Sequence, residues 1–597
     1  MDSLAFPTLI SIDLRPFHPG APDSGVQAYM NKLGFKPDTL IFLNFFVDFL
    51  HTHTEIDDTP INKMNAGQRG TPTPFPWTRK DLFNLVNAVK NAGIRPLLGI
   101  LSFTSSDVWQ SARVDEIDTE IYQTKRGNQK MWGNCINPLK HGSDGSLYED
   151  RFIADLMTVI EDYGFEGYVA GDGMMGLRGP RETLEDSDFS LDMVRQFQQY
   201  SEVVLPHLDD YDERANYITE HYFAEWVQFY VYRWGEHFGK LSSKLKPLGK
   251  ALIGIDAWSR NPEESITAFG IDYRVLYEKG LEGVLVRAGE ANKIRKHREG
   301  DYVWEENSIY TFLSHKAYEP RLQYYWAVST VNQPEFWNAV LDLPHVMERE
   351  AFAYLWTMYG SGETGRFERA IDGLAVIWGN DISTAQWDWL TSIWNRAFHL
   401  VKQFERPVGL TLLWNDKGTG QHTSENKQYG HSFSKLLNEG ICVHSAVEER
   451  NIRPFLGATG YLVALDPDIL LREPQLEDRT FVILSNRIRF KGEIYPWAVG
   501  VRLIKGLCGV HISKGRMVGF EAKEGTFVFS LENAANLYYE TAQVHLPVDV
   551  EEIFTLESDP QTQLRIVDNS SRIFSLPPDG AVQIAFKMKG ATGDEFN

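Results

Sequence analysis

Cysteine is nearly absent from this chain of 597 residues, with Cys135, Cys442 and Cys508 the only three. So widely spaced, they define neither a disulfide framework nor a CxxC-type zinc site. Basic residues are scarce relative to acidic ones, 59 Lys and Arg against 81 Asp and Glu, for a formal charge of −22. That balance excludes a nucleic-acid partner held through its phosphates, which clustered Lys and Arg would have to neutralise. Long apolar runs are missing too. No stretch reaches the roughly 18–20 uninterrupted apolar residues that span a bilayer, so no membrane partner is expected. The opening MDSLAFPTLISIDLRPF lacks the basic segment, apolar run and small-residue cleavage site of a signal peptide, because Asp13 and Arg15 interrupt its apolar stretch. The expected location is cytoplasmic, or secreted if a signal peptide has been removed.

What the chain does have is 43% apolar residues and 13% aromatics, including 16 Trp and 35 Phe, which exclude a disordered or low-complexity protein. Its length exceeds one hydrophobic core, since single cores stop growing near roughly 250–300 residues. Short apolar runs alternate with amphipathic stretches through the first two-thirds: TLISIDLRP, TLIFLNFF, IRPLLGILSF, GFEGYVAGDG, KALIGIDAW, GLEGVLVRAGE, RLQYYWAVST and GLAVIWGND. Eight such runs with helical stretches between them predict an α/β fold, a (β/α)8 TIM barrel over residues 1–405, with an open doubly wound sheet as the alternative. Glycines in NAGIRP, DYGFEG and EKGLEG are expected to close the helices that precede strands. Over 406–493 a small α/β domain is expected, a scaffold or oligomer-contact module because no GxGxxG or P-loop accompanies it. Short alternating segments over 494–597 predict an antiparallel β-sandwich.

In such a barrel the catalytic groups sit at the C-terminal ends of the strands. Those ends carry Asp13, Asn44, Asp172, Asp256, Arg287 and Glu290, with Asn380 and Asp381 after the eighth run. One acid there is readily explained as a helix N-cap, but three acids after three apolar runs are less so. Asp172 stands between glycines in GFEGYVAGDGMMG, which leaves its carboxylate clear and lets a ligand approach. Hydrolysis of a glycosidic bond needs two carboxyl groups, and Asp172 with Asp256 or Glu290 supplies them. Asp13 is a further catalytic or sugar-hydroxyl candidate. Arg15 is expected either to pair with it or to clamp a substrate carboxylate. Tryptophans around the same ends, Trp109, Trp132, Trp258, Trp304, Trp326, Trp337 and Trp378, suit a sugar, whose C–H face stacks on an indole. The long third loop, from about Thr104 to Gly145, offers Arg126, Trp132, Asn134, Asn137 and His141. HTHTEIDD lacks the i, i+4 histidine spacing of a zinc helix and is read as a loop, so no metal and no cofactor are expected.

The stretch WGNCINP, followed by YEDRFIADLMTVIEDYGFEGYVAGDG, resembles the loop, helix and fourth strand of TIM-barrel glycoside hydrolases. In dextranase-type and α-galactosidase-type members the acid at the fourth strand end is the nucleophile, which implies that role for Asp172. The general acid comes from the fifth strand in the former, implying Asp256, and from the sixth in the latter, implying Glu290. The succession of barrel, α/β domain and sandwich is similar to that of three-domain β-galactosidases, whose middle domain makes oligomer contacts. Those enzymes carry Glu at the fourth and seventh strand ends, whereas YYWAVSTVNQ has none. A second resemblance, to inverting barrel sialidases, pairs Asp13 with His141 and implies Arg15, Arg126 or Arg178 for a substrate carboxylate. The sequence therefore predicts a glycosidase of carbohydrate metabolism, acting on an oligosaccharide or glycoconjugate. Alternatives are an inverting exo-sialidase and a non-catalytic carbohydrate-binding barrel. Arg15, Asn44, Arg126, Trp132, Asn134, His141, Trp258, Arg287, Trp378 and Asp381 are the expected substrate ligands, with homo-oligomer contacts expected of the accessory domains.

Overall fold

A computed structural model describes residues 3–53, 61, 74–100, 103, 118–130, 135–171, 183–186, 188–206, 208–256, 261–287, 308–329, 331–332, 337–342, 344–416, 426–513, 515–533, 540–545, 550–557, 564–566, 571–576 and 581–588. Eight parallel strands close into a barrel: β1 (Thr8–Ile12), β2 (Thr39–Phe45), β3 (Arg95–Ile100), β4 (Gly167–Ala170), β5 (Ala251–Ile255), β6 (Gly283–Val286), β7 (Gln323–Ser329) and β8 (Gly373–Ile377). They are the eight apolar runs of the sequence, neighbours follow chain order, and β1 pairs with β8 through Thr8 and Leu374. Closure removes both sheet edges and any reversal of strand order, which excludes the open doubly wound alternative.

Strand alternation sorts the side chains. Leu9, Ile41, Leu43, Leu97, Val169, Ile253, Leu285, Ala327 and Ala375 fill the barrel. Their chain neighbours Ile10, Leu40, Phe42 and Leu98 pack outward under the helices. Ser11, and Asp13 just past the end of β1, share the parity of Leu9 and place a polar pair toward the C-terminal mouth. At the floor the Tyr325 ring lies between Gly283 and Gly373, where a Cβ would come within 2.9 and 3.0 Å of it.

Five helices matter below: α1 (Val26–Leu33), α2 (Arg79–Asn91), α3 (Tyr148–Tyr163), α4 (Phe223–Leu245) and α5 (Thr384–Val401). Capping boxes open α2, from Thr78 and Asp81, and α5, from Ser383 and Gln386. The expected helix-closing glycines Gly93, Gly164 and Gly280 have φ of 72, 77 and 104°, the left-handed region that glycine enters without strain.

Beyond the barrel lies a mixed eight-stranded sheet with a parallel centre of Leu410–Trp414, Val443–Glu448, Tyr461–Ala464 and Thr480–Leu484. One of its edges is the hairpin Met358–Ser361 with Arg366–Arg369, which precedes β8 in the chain. The other is Glu493–Pro496, and the helix Trp497–Cys508 packs on the neighbouring strand. A five-stranded and a four-stranded antiparallel sheet then enclose Met517, Phe529, Leu531, Val544, Phe574 and Phe586. Phe404–Pro407 joins the five-stranded sheet against Arg516–Ala522. No helix among the described residues is long and apolar enough to cross a membrane.

Candidate active site

The mouth is bridged on one side by a network from β1 and β8. Asp13, 1% exposed, accepts the backbone N–H of Arg15 on Oδ1 and its Nε–H on Oδ2, both at 2.8 Å. Arg15 Nη2 reaches on to Asp381 at 3.2 Å, and the Asn380 side chain accepts the Asp13 amide N–H. The internal ion pair of Asp13 and Arg15 is thus realised, and Asp13 does not cap a helix.

Four places around the ring, Asp256 follows β5 and is 2% exposed. Its Oδ1 accepts Arg287 N–H at 3.0 Å and Nε–H at 3.2 Å, while Arg287 Nη2 donates to the Asp256 carbonyl at 3.0 Å. That pairing ties β5 to β6. The cap of the following helix is Asn261, which accepts the Glu264 amide, so Asp256 is free of that duty.

Trp378, directly after β8, has φ 67°, and its amide donates to Ser11 Oγ at 3.1 Å. Its partly buried indole packs on the barrel-filling cluster that includes Ile377 and Leu43. Trp326, by contrast, is 1% exposed and meets Tyr354 edge-on, a core position.

Two loop residues are held away from this network. Arg126 donates to the Glu185 carbonyl at 2.9 Å and to Asn216, and lies over the Phe189 ring. His141 Nδ1 meets Asp192 Oδ1 at 2.9 Å, and Gln196 steadies the other carboxylate oxygen at 2.8 Å. No hydrogen bond joins His141 to Asp13. The acids Asp172 and Glu290, with Trp132, Asn134, Trp258 and Arg178, lie outside the described residues, as do Trp109 and Trp304. Asp172 is one residue past Gly171, whose N–H continues the ladder to Ile100. Asn44 is the penultimate residue of β2. Asn137 is buried and donates to Asp188.

Sequence reasoning missed Tyr29 and Lys32, three residues apart on α1 and facing the end of β8. Tyr29 donates to the Gly379 carbonyl at 3.2 Å, and burial, then the Asp13 charge, raises its pKa. Lys32 donates to the Asn380 carbonyl at 2.8 Å; burial lowers its pKa, Arg15 adds to that and Asp381 opposes it. With Arg15 and Asp381 they line a cavity of about 370 Å³ beside the mouth. In HTHTEIDD, His51 bonds Asp155 and Tyr148 while His53 bonds Asp162, so the two rings diverge onto separate residues of α3. Burial lowers both pKa values, against the pull of those carboxylates.

No known protein-family model matches the chain, and no curated protein matches it in sequence. Its structural neighbours are TIM-barrel glycoside hydrolases. α-L-Fucosidase isoenzyme 2 from Paenibacillus thiaminolyticus aligns over 98% of this chain and 99% of its own, with TM-score 0.50 and 10% identity. A β-galactosidase from the psychrophilic Marinomonas ef1 aligns over 98% and 100%, with TM-score 0.50 and 9% identity. At such identities the likeness is one of fold, a barrel followed by accessory sheets.

Proposed function

We propose that the chain is a glycoside hydrolase that cleaves an oligosaccharide or glycoconjugate at the barrel mouth. The observation that carries this reading is Trp378. A left-handed backbone costs a bulky residue on the order of 1–3 kcal/mol and persists where the surroundings over-determine it, most often at functional sites. Here the strained residue directly follows β8, three residues before Asp381, with its amide on Ser11 Oγ and its partly buried indole packed on the barrel-filling side chains. A flat apolar face with polar groups around it suits the C–H face and hydroxyls of a sugar.

In this proposal Asp172 is the nucleophile or base, and Glu290 or Asp256 the general acid. The two Arg287 donors already on one Asp256 oxygen favour Glu290 as proton donor, with Asp256 aiming Arg287 at the substrate. Asp13 orients Arg15, while Asn44, Trp132, Asn134, Trp258 and Asp381 contact sugar. A carboxylate pair of this kind works without a cofactor. The exo-sialidase reading is weaker, because Arg15 occupies both Asp13 oxygens and Asp192 holds His141.

An aryl-glycoside panel that includes sialosides tests the proposal. Turnover of one substrate is expected, with a fall of about 10²–10⁴-fold in Asp172→Asn and Glu290→Gln. Undiminished turnover in Asp172→Asn removes the assignment, and sugar-dependent thermal stabilisation without product selects the non-catalytic carbohydrate-binding reading.

A further inference from the structure

At the N-terminal end of β8, on the face of the barrel away from the mouth, a cavity of about 460 Å³ opens where the barrel meets both accessory units. Lys316 and Asp372 reach it from the barrel, Arg369 from the hairpin edge of the middle sheet, Phe398 and Lys402 from the end of α5, and Phe404 from the strand paired to the sandwich.

Its cations differ in their partners. Lys316 Nζ pairs with Asp372 at 2.9 Å, and the same Asp372 oxygen accepts the Tyr324 amide, which commits the nearest acid. Glu368 accepts from Thr364. The Arg369 guanidinium stands 4.4 Å from the centre of the Phe398 ring and the Lys402 ammonium 4.9 Å from it. Neither head makes a hydrogen bond or ion pair with another described residue. Burial holds Arg369 below the ordinary arginine value, opposed only by the Asp372 charge. A half-buried guanidinium normally finds a carboxylate, because desolvating it unpaired is costly. Lys402 caps the C-terminus of α5 and complements the helix dipole there, but Arg369 belongs to a strand and has no such role.

We propose that this cavity binds a small organic anion. Its carboxylate or phosphate head is held by the Arg369 fork and the Lys402 ammonium, and its apolar body lies against Phe398 and Phe404. Such a ligand contacts all three units at once and stabilises the folded chain by RT ln(1 + L/Kd), L being its free concentration. The proposal is independent of the chemistry at the mouth.

Thermal unfolding of the full chain, with benzoate, phenyl phosphate, inorganic phosphate and sodium chloride at matched ionic strength, tests it. A rise in Tm that sets in near Kd and then grows with the logarithm of concentration is expected with benzoate or phenyl phosphate and none with chloride; which of the two acts at lower concentration identifies the head group. The Kd fitted from these shifts should rise about tenfold or more in Arg369→Gln and in Lys402→Gln. The Lys402 variant alters an exposed side chain and so reads the site even if Arg369→Gln fails to fold. Glycoside turnover should stay at its parent value in both. The proposal is overturned if no organic anion raises Tm beyond chloride at matched ionic strength, if both variants respond like the parent, or if inorganic phosphate matches phenyl phosphate, which would remove the apolar half of the site.

Discussion

At Trp378 conformation and proposed chemistry can be separated. Glycine accepts φ 67° without cost and alanine does not, so Trp378→Gly should be more stable than Trp378→Ala by about 1 kcal/mol in denaturant titrations. Both should lose turnover if the indole is a sugar platform. Equal stability would mean that the backbone is not strained there. Glu263 gives a second residue-level test. Burial, reinforced by Asp416 and Glu264 and opposed by its own backbone N–H, raises its pKa from 4.5 to about 7. The folded chain then holds a proton that the unfolded chain releases, so stability falls as pH rises from about 4.5 to 7. Glu263→Gln should raise Tm at pH 8 relative to the parent and change it little at pH 4. No sequence signal marked this acid, because PEESITAF reads as an ordinary acidic first turn.

Helix packing sets the next test. Near its N-terminus α3 turns Glu149 inward onto α4, where His237, Arg233 and Lys240 surround it at 3.0, 3.4 and 2.7 Å. Burial alone would raise this carboxyl, but those three partners outweigh it and bring the pKa down from 4.5 to about 2. A depressed pKa contributes stability above the unfolded value that is lost as pH falls through the folded one. Glu149→Gln should therefore cost on the order of 3 kcal/mol at pH 7, and its gap from the parent should close between about pH 4.5 and 2. A pH-independent gap in unfolding free energy would contradict the ion cluster. The ends of α3 were legible locally, through the acidic first turn and Gly164. The inward turn of Glu149 was not, since YEDRF offers Glu149 and Asp150 as equivalent surface acids and only α4 distinguishes them.

At the scale of the molecule the barrel is not separable at residue 405. The hairpin Met358–Arg369 adds to a sheet whose other strands begin at Leu410, and Phe404–Pro407 pairs with a strand more than a hundred residues later. A chain cut after residue 405 leaves the hairpin without its sheet and divides the strand Phe404–Pro407, and an unpaired edge recruits other chains. We expect residues 1–405 to be insoluble or unfolded by circular dichroism, while the full chain is neither. A soluble, cooperatively melting fragment would show that the hairpin does not depend on the middle sheet. Sequence reading placed the hairpin within the barrel because nothing local in MYGSGETGRFERA names the sheet it joins.

The order of elements was written in the sequence. Apolar runs, helix periodicity and closing glycines act over a few residues, so the eight barrel strands, their succession and the residues at their ends could be read before any contact was known. Partners could not. Arg15 reaches Asp381 across 366 positions, Asp256 takes Arg287, His141 takes Asp192, and Arg369 lies over the Phe398 ring. Charge pairing acts through space, over a few ångströms that only chain closure brings about. Tertiary structure alone therefore decided which strand-end charges pair at the mouth and which cations at the far face form no ion pair with a described residue.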